Sequence, residues 1–244
     1  MIKKLLLVNS KDRSDLSYSS SDFNVQFNRA FQNIRSVQLL SYEIANTIYN
    51  INNNNNKLKF TENTGASTII ATLTNGSYSS SSLASHIASV MTANTANGIT
   101  YTTVYQSTTF KFLTIASILN FRFDFTNAYN PYLQMGYDEG QITSYATTST
   151  STNAIRLDIC CGLLEIDILN NIETTSPSVN CSWLLEIPGA GNVQSKYINS
   201  TYFHSLDVSS STLRSMNIRI KDMNNKTLDF NGSNCVFLFE LTMN

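Results

Sequence analysis

The chain has 244 residues and a formal net charge of −1, and only 14% of its residues are charged; 32 Ser, 26 Thr and 30 Asn carry most of its polarity. A near-neutral chain without clustered Lys and Arg excludes a groove that neutralises nucleic-acid phosphates. A hydrophobic share of 42%, with 12 Tyr and 13 Phe, excludes a disordered polar tract.

Residues 1–8 place Lys3 and Lys4 before a short apolar run that stops at Asn9. That run is too short for a signal peptide, and no stretch is long enough for a transmembrane helix, so no membrane span is expected. Residues 1–22 end in the serine cluster around Tyr18 and read as an N-terminal arm with a flexible joint. The arm is expected to dock on a neighbouring molecule and to be mobile in isolation.

From Phe23 the period is two, with Phe23, Val25 and Phe27 alternating with Asn24, Gln26 and Asn28. Extended runs follow at 36–44, 57–61 and 68–73, and the asparagine run 52–56 forms a loop tip between the first two. Residues 79–93 break this rhythm. Leu83, Ile87, Val90 and Met91 fall on one helical face, and Ser79 or Ser80 can cap the start. His86 sits on the flank of that face and is expected to be solvated or packed, not a ligand. Strand patterns return at 100–105, 110–115 and 121–125. A Ser/Thr loop then spans 143–152, and further strands are expected at 155–159, 163–168, 181–187, 216–220 and 235–241. One helix among ten or eleven short strands is a β-sandwich or barrel, and no domain boundary stands out.

Chemistry is sparse. The chain holds two histidines, His86 and His204, too few for a cupin-type metal site. Gly189 and Gly191 flank a turn and not a phosphate loop, and no Gly-x-Ser-x-Gly elbow occurs. Asp158, Glu165 and Asp167 form the densest carboxylate group, but they alternate with apolar residues as the solvent face of strands does. Cys160, Cys161, Cys181 and Cys235 are expected as free thiols. No enzyme, no cofactor and no metal are expected. A polar surface rich in Tyr, Asn and Ser suits binding or assembly, which leaves a lectin-like module and a structural assembly protein as alternatives.

Three blocks in fixed order carry a family likeness: 27–41 with 44–51 and 55–60, then 72–79 directly before the helix, then 101–115 with 121–125 and 133–137. Together they resemble the single jelly-roll penton and minor capsid proteins of virophages, giant DNA viruses and polinton-like viruses. The likeness covers residues 23–137. It implies an all-β single jelly roll of two antiparallel sheets with one inserted helix near 79–93, filling 23–244 as one domain. It also implies a penton capsomer, a homopentamer at icosahedral five-fold vertices of a virion assembled in the host cytoplasm. Partners would be other copies of the chain, a double jelly-roll major capsid protein and other minor capsid proteins, with no direct nucleic-acid contact. The motif residues Tyr49, Asn50, Ile51, Gly76, Tyr78 and Gly136 would be fold determinants without chemistry. A different minor capsid or cement protein, or a carbohydrate-binding attachment module, is the alternative.

Overall fold

The computed structural model describes residues 1–63, 67–157, 161–169, 181–187, 193–197, 205–208, 211–223 and 225–244. In chain order, β1 (Ile2–Asn9), β2 (Asp22–Phe31) and β3 (Ile34–Ala45) are followed by β4 (Lys57–Glu62), β5 (Ser67–Thr72) and the helix α1 (Ser80–Asn94). Next come β6 (Tyr101–Gln106), β7 (Lys111–Ala116), β8 (Phe121–Phe123), the single turn α2 (Tyr132–Met135) and β9 (Thr148–Thr150). The chain closes with β10 (Cys161–Ile166), β11 (Trp183–Glu186), β12 (Val193–Tyr197), β13 (Leu206–Asp207), β14 (Leu213–Lys221) and β15 (Val236–Met243). It divides into two compact units, residues 1–48 with 159–244, and residues 49–158.

The first unit is the jelly-roll sandwich. One antiparallel sheet has the order β1-β15-β3-β12, with β13 also on β3, and the other has the order β11-β10-β14-β2. Period-two burial builds the core between them. In β15, Phe237, Phe239, Leu241 and Met243 are buried and the residues between them are half-buried. The Trp183 ring meets Phe239 at 6.0 Å, and the Glu186 N–H donates to the Tyr42 hydroxyl at 2.8 Å, so side chains of both sheets share one core. In β3 the buried set changes phase, from Val37 and Leu39 to Tyr42 and Ile44. The pairing explains it: Phe239 lies opposite Leu39 and Leu238 opposite Ser41, so Leu40 is a bulge that turns the rest of the strand over.

The N-terminal segment differs from the expected arm. Residues 2–9 form β1, paired along their whole length with β15, and Leu6 and Val8 are buried in the core. Leu5 and Leu7 face outward and are about two-thirds exposed. Because both faces of β1 carry leucine, the alternation that marks a strand is hidden in its sequence.

The second unit has its own core. Its sheets have the orders β5-β4-β8 and β6-β7-β9, and α1 packs on β5 and β6. Leu83, Ile87 and Met91 point from α1 into a cluster with Leu58, Phe60, Phe112, Phe121 and Phe123. The helix starts where expected: Ser79 is its N-cap, and its Oγ accepts the Ser82 N–H at 3.2 Å. The expected loop 143–152 is partly strand, since β9 pairs with β7 and Ala146 bridges Phe121. Residues 155–157 are not in a strand, and the rest of that expected strand lies outside the described residues.

Candidate functional site

Five of the six motif residues meet or border the turn that feeds α1, all within the second unit. Ile51 is fully buried, and its N–H donates to the Gly76 carbonyl at 3.1 Å while the Gly76 N–H donates back to the Ile51 carbonyl at 2.9 Å. Asn50 repeats this with its side chain: Nδ2 donates to the Tyr78 carbonyl at 2.8 Å, and Oδ1 accepts the Tyr78 N–H at 2.9 Å. Four hydrogen bonds from two consecutive residues thus fix the chain immediately before the helix cap. Gly76 does not take the positive φ that its place in a sharp turn suggests. Its lack of a Cβ matters because that atom would stand 3.1 Å from the Tyr78 ring.

The Tyr78 ring is held at two points. It stacks on His86 at 5.0 Å and 18°, and its hydroxyl donates to the Thr74 carbonyl at 2.9 Å. His86 Nε2 accepts the Thr74 N–H at 2.9 Å, so His86 is a packed residue, as expected. Burial lowers the His86 pKa and raises that of the Tyr78 phenol.

Tyr49 is over one-third exposed, and its carbonyl accepts from Asn52 Nδ2 at 3.1 Å. That bond begins a chain of carboxamides through the asparagine loop. Asn55 bonds to the Asn50 carbonyl and the Asn52 N–H, and Asn75 bonds to both Asn53 and Asn56. The loop is therefore tied to the turn at residues 74–78 by side chains.

Gly136 lies at another corner of the same unit. It ends α2 with φ +76°, and a Cβ there would fall 2.4 Å from the Asn153 carbonyl oxygen. The Asn153 N–H donates to the Gly136 carbonyl at 2.7 Å. Beside it, Tyr137 stacks on Phe125 at 4.7 Å and its hydroxyl lies 2.9 Å from Ser149 Oγ.

Glu62 is a further anchor, and one that the sequence reading passed over. It shares the inward face of β4 with Leu58 and Phe60, and a carboxylate at such a position must find donors. Its Oε2 accepts the Ala96 and Asn97 N–H groups and Asn97 Nδ2, and its Oε1 accepts the Tyr101 hydroxyl at 3.0 Å. Burial pushes the Glu62 pKa up, but bonds from Thr95, Asn97, Tyr101 and Ala96 outweigh it and hold the carboxyl below its usual range. The carboxylate thereby fixes the chain leaving α1, as Asn50 fixes the chain entering it.

Two carboxylates of the sandwich unit have partners on the neighbouring strand. Glu165 pairs with Lys221, and Asp167 accepts from the Asn217 amide and side chain. Cys181 and Cys235 are free thiols, and burial raises Cys181 to about 11 and Cys235 to about 12, while Cys161 opens β10 and is half-buried. Asp158, Cys160, Gly189, Gly191 and His204 lie outside the described residues. Among the described residues, no group of three or more His, Cys, Asp or Glu side chains could hold a metal ion. No helix among them is long and apolar enough to cross a membrane.

This architecture is similar to that of the mavirus penton protein, known from a crystal structure of its selenomethionine form. The two superpose with a TM-score of 0.52 over 100% of both chains at 8% identity, a likeness of fold. No curated protein matches the sequence. A family of unknown function, DUF5901, matches residues 4–127, which include most of β1, all of β2 to β8, the Asn50–Tyr78 clamp and Glu62. That match covers just over half of the 244 residues, and the chain belongs to this family.

Proposed function

We propose that the protein is a structural capsid protein of a virion, and that it is the penton capsomer, a ring of five copies at the icosahedral vertices. The observation that carries this reading is the end-to-end fold likeness to a protein described as a penton. The local chemistry is in keeping with it. The anchoring polar groups, Asn50, Glu62, His86 and Tyr101, are bonded to one another's elements, an arrangement that holds backbone in place and leaves no free nucleophile–base pair among them. On this reading the protein is not an enzyme and needs no cofactor.

A five-fold ring joins one wall of each copy to a different wall of the next. Inward-facing residues of both sheets are used by the core, so contacts between copies fall on sheet edges and loops, including the exposed β1 edge and the asparagine loop. The low net charge allows like surfaces to approach. The other partners would be a double jelly-roll major capsid protein and other minor capsid proteins, in a shell assembled in the host cytoplasm. Native mass spectrometry across a concentration series tests the ring. A monomer–pentamer equilibrium shifting toward pentamer with concentration is expected, whereas a stable dimer or trimer would reject the penton role and leave the broader capsid reading.

A further inference from the structure

Residues 63–110 contain no Lys, Arg, Asp or Glu, and His86 is the one side chain in that stretch able to gain charge near neutral pH. Its surroundings make that charge consequential. A backbone N–H has a single proton to give, so the Nε2 that accepts from Thr74 must be unprotonated. A proton placed there would set N–H against N–H and break the bond. The Tyr78 ring, stacked on the imidazole, is tied through its hydroxyl to the same Thr74.

We propose that His86 is an acid-sensitive latch: protonation at Nε2 releases the Thr74 N–H and loosens the 74–78 turn, together with the asparagine loop joined to it through Asn75. Of the bonds that hold this turn, the one to His86 alone can be switched by a proton above pH 5; those made by Asn50, Ile51, Asn53 and Asn56 are between amides. Among charged groups, Lys57 of β4 donates to Thr72 Oγ1 at 2.8 Å, two residues before Thr74. The other titratable groups on α1, the 73–79 segment, β5 and β6 are the phenols of Tyr78, Tyr101 and Tyr105, and burial moves the pKa of Tyr78 and Tyr101 upward, away from neutrality. Tyr101 is bonded to Glu62, and Tyr105 packs edge-on to Phe112. Glu62 itself holds Asn97, beyond the C-terminal end of α1, whereas His86 lies in the helix's N-terminal half.

The sign follows from burial. A depressed folded pKa means the unlatched form takes up the proton more readily, so opening grows as pH falls below about 6.5, the ordinary histidine value.

Hydrogen exchange of the Thr74 amide in the full chain, by NMR or by mass spectrometry of peptides covering 73–79, reads the latch directly. After correction for intrinsic exchange, Thr74 protection should fall at least roughly threefold between pH 7.5 and 5.0, while β15 amides hold theirs. His86→Gln offers an acceptor oxygen that does not titrate, and its Thr74 protection should be independent of pH. His86→Phe keeps an aromatic ring for Tyr78 but no acceptor, and should be weakly protected at both pH values. Constant protection in the wild-type protein, or an equal fall in His86→Gln, would overturn the proposal. Should neither variant fold, the wild-type profile alone decides, since a purely structural histidine leaves it flat.

Discussion

Glu62 takes a position where the alternation of β4 calls for an apolar side chain, and it is stabilised there by donors from the chain that leaves α1. Replacing it by Gln puts an NH2 group where an oxygen now accepts, leaving at least one buried donor without a partner, at a cost of about 1–3 kcal/mol. Its depressed pKa adds a pH signature. The carboxylate's contribution is complete above about pH 4.3, the unfolded value, and is lost as pH falls through the lower folded value. Chemical denaturation should therefore show Glu62→Gln less stable than wild type at pH 7, with the gap narrowing toward pH 3; a constant gap would contradict this account. Gly136 provides a second residue-scale test. Gly136→Ala would drive Cβ into the Asn153 carbonyl at positive φ, whereas Gly140→Ala, at φ +72° with open space around it, meets only the backbone preference. Thermal melts should rank Gly136→Ala below Gly140→Ala, and equal melting points would show that the α2 corner relaxes freely. Glu62 was legible in the sequence as a carboxylate in phase with Leu58 and Phe60. The Asn50–Tyr78 clamp was not, because its partners lie 28 residues apart and no local pattern joins them.

Periodicity located the elements whose two faces differ. β2, β15 and α1 emerge where their apolar spacing places them, and Ser79 marks the helix start. Three features escaped it for identifiable reasons. β1 carries leucine on both faces, β9 is three residues of Ser and Thr held by β7, and the bulge at Leu40 shifts β3 from one alternation to another partway along. The position of β1 changes what proteolysis should show. Residues 14–19 are exposed while Ser20 and Ser21 are buried, and the Ser21 carbonyl accepts the Ile220 N–H at 2.7 Å. Cleavage should fall within 14–19, and the N-terminal fragment should stay on the nicked protein through its eight paired residues until denaturant is added. Size-exclusion chromatography followed by intact mass measurement checks this. Release of the fragment under native conditions would restore the picture of a free arm.

At the scale of the whole molecule, the uniform Asn, Ser and Thr content conceals a division that the cores make plain. The sandwich cluster runs from Leu6 to Met243, and the second cluster draws only on residues between Ile51 and Tyr137, with Ile155 and Leu157 packed against it. A contiguous segment with its own apolar core, its own helix and two sheets meets the conditions for independent folding, and about 110 residues is an ordinary domain size. All six motif residues and Glu62 lie in it, so the anchors that fix α1 need nothing from the sandwich strands. The segment 49–158 produced alone should therefore unfold in one cooperative transition, with a denaturant slope matching its size and not that of the full chain. In that fragment the Thr74 amide should be as protected at pH 7.5 as in the full chain. Urea titration followed by tyrosine fluorescence, with exchange at Thr74 as the local probe, reads both quantities. A fragment without a cooperative transition would mean that residues 23–244 fold as one domain and that the second core depends on the first.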